Sequence, residues 1–243
     1  MKLLLSGQTG FLGQILSQGL EKEYSIVTIG RHITSDIQMD LSKDTRIKIE
    51  KTYDIVVHAA GKAHQTPQTS AEKNEFFQIN FKGTINLLSS LSNDPPKQLV
   101  FISTVAVYGR EGGLNIDETH PLNGNSAYAC SKIKAEEAIL AWGKKNLVSI
   151  LIFRLPLIAG PKPPGNLGKM IDGIKSNKYI SINHGKQGEA LFLQRIWPHV
   201  SSRIAINQEY TTLQMVTTLH SDKLNRLFVL SWGKSSASLY LMQ

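Results

Sequence analysis

The sequence holds a single cysteine, Cys130, in 243 residues. That excludes an internal disulfide framework and fits a reducing compartment. No apolar stretch approaches the ~20 residues needed to cross a bilayer. The opening apolar run ends after Leu3, Leu4 and Leu5, at Ser6 and Gly7. No signal peptide is therefore expected, and the chain reads as cytoplasmic with no membrane partner. Runs of Lys and Arg interleaved with aromatics are missing too, although the net charge is +8 and the pI about 9.5. Scattered cations are a poor nucleic-acid footprint, so no nucleic-acid partner is expected. They suit a substrate that carries a diphosphate. His64, His184, His199 and His220 share no metal-ligand spacing with one another or with Cys130, so no metal site is expected. The remaining composition, 41% hydrophobic and 19% charged, is that of an ordinary globular protein.

What is present is concentrated at the start. The run Leu3–Leu5 stops at Gly7, glycines follow at Gly10 and Gly13, and Phe11, Ile15, Leu16 and Leu20 recur at helical spacing. This is strand, glycine turn, helix, the opening of a dinucleotide-binding fold. Gly7 allows a sharp turn. Gly10 allows backbone N–H groups to approach a pyrophosphate, and Gly13 allows the helix to press against the strand. The spacing is GxxGxxG, which an ordinary tight βα turn also shows, so the rest of the chain must decide.

Through residue 160 the pattern alternates. Strands are expected at Leu3–Leu5, Ser25–Ile29, Asp54–His58, Gln98–Ser103 and Ser149–Phe153. Helices are expected at Phe76–Leu91, through Phe77, Phe81, Ile85, Leu88 and Leu91, and at Ala127–Trp142. Alternation of this kind predicts an α/β protein with a doubly wound parallel sheet covered on both faces. Residues 161–165, Pro-Lys-Pro-Pro-Gly, mark a break that opens a small C-terminal region of residues 161–243, expected to bind substrate.

Tyr128 and Lys132 stand four apart and share a helix face. A free tyrosine has a pKa of ~10, and a neighbouring ammonium favours its phenolate. The same lysine can reach ribose hydroxyls of a nicotinamide nucleotide. Upstream, Thr104 ends an apolar strand, where open α/β sheets bind their ligands. Its hydroxyl can hold the oxygen that Tyr128 protonates or deprotonates.

Taken together these residues resemble the extended short-chain dehydrogenase/reductases, in the nucleotide-sugar epimerase, dehydratase and reductase branch, over residues 1 to about 188. Gly7, Thr9, Gly10, Phe11, Leu12 and Gly13 are similar to that family's cofactor loop. Asp40 and Leu41 resemble the pair against the adenine; Ala59, Ala60 and Gly61, after His58, resemble the loop lining the cofactor. Asn80 opens an Asn-x-x-Gly-Thr helix motif. Ser103 and Thr104 match the active-site strand end, with Thr104, Tyr128 and Lys132 as the implied catalytic set. Arg154 and Pro156 resemble the loop over the nicotinamide, and Asn166 stands at the diphosphate contact. His58 itself reads as scaffold. The resemblance implies a Rossmann sheet over residues 1–160, an NAD(H) or NADP(H) cofactor, and a nucleoside-diphosphate sugar substrate. It implies hydride transfer at the sugar C4, by a 4-epimerase or a 4-reductase, and a homodimer packed through Phe76–Leu91 and Ala127–Trp142. A non-catalytic cofactor sensor on the same fold is the other reading.

Two departures discriminate. Dehydratases carry an Asp-Glu pair after the threonine, where this chain has Val105 and Ala106. Strand 2 ends Ile29, Gly30, Arg31, with no carboxylate to select NAD and a cation suited to a 2′-phosphate, which favours NADP(H) slightly. Asp36 and Asp40 are near enough to keep NAD(H) open.

The resemblance fades near Gly188, and periodicity weakens from Glu189 to Gln243. Back-translating residues 190–197 and reading two bases later permits V-V-F-A-E-D-M-A, similar to the family's helix start in that region. Residues 209–221 shifted alike permit G-I-Y-N-L-T-D-G-Y-H-P-S-F, and the bases around Lys234 permit K-L-G-K-K-L. The expectation is that residues 189–243 are out of frame, that the substrate lobe is incomplete, and that this product is weakly active or inactive.

Overall fold

The computed structural model describes residues 1–43, 49, 52–63, 65–110, 116–159 and 172, together with three strands beyond them, Leu191–Leu193, Thr211–Val216 and Val229–Ser231. Strands β1 (Lys2–Ser6), β2 (Ser25–Gly30), β3 (Ile37–Gln38), β4 (Ile55–His58), β5 (Gln98–Thr104) and β6 (Ser149–Leu155) lie parallel in the order β3-β2-β1-β4-β5-β6. This is the Rossmann order, with its reversal between β1 and β4. Strand β9 (Thr211–Val216) adds parallel to β6, and β10 (Val229–Ser231) adds antiparallel to β9. Residues assigned by sequence to the C-terminal region thus extend the first sheet. A separate pair joins β7 (Leu157–Ala159) to β8 (Leu191–Leu193).

The sheet is covered on both sides. Leu3 and Leu5 point to one face, with Val57, Val100, Ile102, Leu16 and Leu20. Leu4 points to the other, with Val56, Leu99, Phe101, Leu88 and Ile139. Alternation along β1 therefore sends its leucines into two cores, one under helix α1 (Phe11–Leu20) and one under the later helices.

Two helices differ from expectation. The first begins six residues earlier than Phe76, as α2 (Ser70–Phe76), because Thr69 and Glu72 form a reciprocal capping box. It continues through a π-helical stretch (Phe77–Lys82) into α3 (Gly83–Leu91). Its buried stripe is Phe76, Asn80, Thr84, Leu87, Leu88 and Leu91; Phe77, Phe81 and Ile85 are only half-buried. Asn80 and Thr84 face inward because buried polar partners await them there. The second helix, α4 (Ala127–Asn146), outruns Trp142 by four residues and stops at Leu147, in the left-handed conformation at φ 58°.

Gly7 and Gly13 set the contact between β1 and α1. Gly7 has φ 81°, and a Cβ there would lie 2.6 Å from the Ala60 nitrogen. A Cβ on Gly13 would lie 1.9 Å from the Gly7 carbonyl oxygen, far inside van der Waals contact distance. Gly13→Ala is expected to lower the unfolding free energy by about 2 kcal/mol, the usual cost of overpacking, as read from urea unfolding curves. Wild-type stability in that variant would contradict the close approach.

Candidate active site

A cavity of about 580 Å³ opens at the C-terminal ends of β1, β2 and β4. It is lined by Gly7, Thr9, Gly10, Arg31, Asp40, Leu41, Ala59, Ala60 and Gly61, all expected from sequence. Ile29, Gly30, His32, Met39, Ser42 and Ile79 line it as well. Of these, His32, Met39, Ser42 and Ile79 carry no motif that the sequence could have flagged. Phe11, Leu12 and Gly13 form the first turn of α1 behind the loop; Leu12 packs on the core and Gly13 on the strand end.

Helix α1 starts at Gly10 with no side-chain cap and no acidic residue in its first turn. Its leading N–H groups and the positive end of its dipole are open to an anion. At the far rim, the Asp40 carboxylate accepts from the Ser42 N–H at 3.0 Å and hydroxyl at 2.7 Å. Partial burial pushes its pKa up, but these bonds and the charges of Arg31 and Lys43 prevail and hold it below the usual range. Asp36 is spent on β2: its carboxylate accepts from the Thr28 N–H at 2.8 Å and hydroxyl at 2.7 Å.

The second group of residues adjoins Gly61. A Cβ placed there would lie 3.1 Å from Asn80 Oδ1 and 3.6 Å from Lys132 Nζ. Asn80 is 1% exposed. Its amide grips the Lys62 backbone at 2.7 and 3.1 Å and donates to the Ser131 hydroxyl at 2.9 Å. Lys132 is buried, donates to the Ile102 carbonyl at 2.7 Å, and lies 4.2 Å from the Phe101 ring centroid. Burial pushes its pKa down to about 8, against the pull of Glu136. Tyr128 is buried beside Thr104, and burial raises its pKa although the neighbouring hydroxyl acts to lower it. The sequence argument expected Lys132 to lower the phenol; here the ammonium is turned to a backbone carbonyl, and desolvation prevails.

Ser103 is buried and its hydroxyl donates to Glu136. Glu136 pairs with Arg154 at 2.7 Å, both almost fully buried, and Arg154 also donates to the Tyr108 hydroxyl at 2.9 Å. Pro156 is buried directly after β6. Sequence reasoning missed Glu136, although its place four residues after Lys132 put it on the same helix face. Asn166, His64, His184, His199, His220 and nearly all of the possible out-of-frame segment lie outside the described residues. Among the described residues no cluster of His, Cys, Asp and Glu is arranged for a metal ion, and no helix is long and apolar enough to cross a membrane.

The model of the NAD dependent epimerase/dehydratase family matches residues 3–197. The chain belongs to that family. It is 26% identical over 249 residues to a UDP-glucose 4-epimerase of Vibrio cholerae, covering 95% of this chain and 70% of that protein. It is 26% identical over 193 residues to an Escherichia coli O157:H7 protein, N-acetyl-alpha-D-glucosaminyl-diphospho-ditrans,octacis-undecaprenol 4-epimerase, covering 75% of this chain and 56% of that one. Among solved structures, the UDP-N-acetylglucosamine 4-epimerase of Methanobrevibacter ruminantium M1 superposes with a TM-score of 0.78 at 20% identity, covering 90% of this chain and 77% of that one. That likeness establishes the Rossmann fold. Members of this family use a nicotinamide dinucleotide, and the cavity fits one: the glycine loop residues Gly7, Thr9 and Gly10 line it beside an uncapped helix start that is open to an anion. The chain spans 55% to 70% of the length of the first curated relatives it matches.

His58 is held by a directed chain of hydrogen bonds. The Thr84 hydroxyl is 2.6 Å from the Asn80 carbonyl and donates to it, so it accepts from His58 Nε2 at 2.9 Å. Nδ1 then accepts from the Ser6 hydroxyl at 2.6 Å, and Ser6 accepts from the Ala60 N–H at 3.2 Å. Burial, aided by the Lys132 charge, holds the ring neutral with a pKa near about 3. The unfolded chain binds a proton there below pH 6.5, so stability falls as pH drops from 6.5 toward 3, by up to about 1.4 kcal/mol per unit from this group. His58→Gln is expected to flatten that slope in denaturant titrations run across this window. Matching acid slopes in the two proteins would refute the assignment.

Proposed function

We propose that this chain transfers hydride at C4 of a nucleoside-diphosphate sugar, as a 4-epimerase. The observation that carries the reading is the juxtaposition of Thr104 and Tyr128, one helical turn from Lys132, whose ammonium adjoins Gly61 of the dinucleotide cavity. A nicotinamide dinucleotide, when bound, takes a hydride from the substrate carbon and can return it. The chain's own residues manage the proton. Tyr128 exchanges it with the C4 oxygen, and Thr104 orients that oxygen. Lys132, with its pKa lowered to about 8, is cationic at neutral pH, and its ammonium beside Gly61 is placed to hold the dinucleotide. Val105 and Ala106 offer no acid or base for eliminating water. A 4-reductase would use the same residues and stop after one transfer; relatives named as 4-epimerases favour the two-step reaction. A cofactor sensor needs no Thr-Tyr-Lys set, which counts against that alternative. Asn166 as a diphosphate contact, and a homodimer packed through α2–α3 and α4, belong to the same proposal.

The frame-shift reading also stands as a proposal, supported by the periodicity that weakens from Glu189 onward and by the three back-translated matches in one shifted frame. The chain as given is then weakly active or inactive, and continuation in the shifted frame restores turnover. UDP-glucose to UDP-galactose conversion, followed by proton NMR on both versions, is the test. Turnover by the restored chain should fall by about 10²–10⁴-fold in Tyr128→Phe. Full turnover by that variant would end the mechanism, and ordinary turnover by the 243-residue chain would end the frame-shift reading.

We further propose that Arg31 favours NADP(H) slightly, since it faces the cavity and Asp36 is engaged by Thr28. Fluorescence titration should give the tighter dissociation constant for NADP⁺, and Arg31→Ala should reverse the order. Tighter NAD⁺ binding by the wild type would assign selection to Asp40 instead.

A further inference from the structure

Glu136 lies one helical turn beyond Lys132 on α4, and 1% of it is exposed. A carboxylate so deeply buried must be fully partnered. Its partners come from two strands. Ser103 of β5 donates to Oε1, and Arg154 of β6 donates through Nε at 3.1 Å and Nη2 at 2.7 Å to Oε2. Arg154 then reaches Tyr108 at 2.9 Å and the Glu118 carbonyl at 3.1 Å, on the segment that leads into α4. Two successive residues of β5 are thereby gripped by one face of α4, Ile102 by Lys132 and Ser103 by Glu136, and the next, Thr104, lies beside Tyr128. The last of these is the reacting pair. The middle pair is buried, and it sets the height of the helix on the strand.

We propose that Glu136 is a positioning residue, locking α4 onto β5 and β6 and keeping a negative charge one turn from Lys132. The inference rests on the cofactor-binding reading above. The groups facing Lys132 are His58 from β4, the Phe101 ring and Ile102 carbonyl from β5, and Tyr128 and Glu136 from its own helix. His58 is neutral, so Glu136 supplies the anionic charge that favours the ammonium.

The experiment measures the dissociation constant for nicotinamide dinucleotide against pH, by tryptophan fluorescence, in the full chain. Wild-type affinity should hold at neutral pH and weaken above a break set by Lys132. Glu136→Gln should move that break down by about one pH unit. That variant strands the Arg154 charge, so the paired variant Glu136→Gln with Arg154→Gln decides where the single one does not fold. In the pair the break should move in the same direction by less. A folded pair with the wild-type break overturns the proposal, and so does a pair that cannot fold, which makes the clamp a folding element only. A wild-type chain that binds no nicotinamide dinucleotide at any pH overturns the functional reading, and this inference falls with it.

Discussion

The close approach of α1 to the end of β1 is the constraint on which the cofactor half depends. Gly7 turns the chain with φ 81°, and Gly13 lies so near its carbonyl that no side chain fits between. This contact aims the uncapped start of α1 at the cavity floor and leaves Ala59 and Ala60 free to close the other wall. A larger residue at either glycine would push the helix off the strand and remove the anion site along with it. Dinucleotide binding and core packing are therefore the same piece of geometry.

Around that floor the buried polar groups form two separate systems. One runs from the Ala60 N–H through Ser6, His58 and Thr84 to Asn80, and through Ser131 toward the Tyr128 helix. The other joins Ser103, Glu136, Arg154 and Tyr108. The first ties the cofactor loop to the π-helical stretch that holds Asn80. The second ties the catalytic strand to its helix. Each donor finds an acceptor, as a water-poor interior demands. Lys132 sits between the two systems, influenced by His58 on one side and by Glu136 on the other.

Much of this was legible in the chain. Apolar runs alternating with helical spacing specify a doubly wound sheet, and five strands lie within two residues of where the pattern put them. The glycine loop, Arg31, Asp40, Ala59 and Gly61 converge on one cavity, with Lys132 behind Gly61 and Thr104 beside Tyr128. The helix before β5 was harder to read. Its apolar repeat suggested Phe77, Phe81 and Ile85 as the inner face, whereas Asn80 and Thr84 occupy it. A polar residue turns inward only when partners wait for it, and those partners stand 26 and 51 positions away.

The sequence by itself determined the fold class, the glycine turn and the placing of Tyr128 and Lys132 on one helix face, because these depend on local periodicity, on glycine's missing side chain, and on fixed i,i+4 spacing. Only the tertiary structure decided which charges act on them. Lys132 turns to the Ile102 carbonyl, Asp36 is consumed by Thr28, and Glu136 emerges as the buried partner of Arg154. Those outcomes depend on desolvation and on pairings between distant strands, and neither exists until the sheet has brought the residues together.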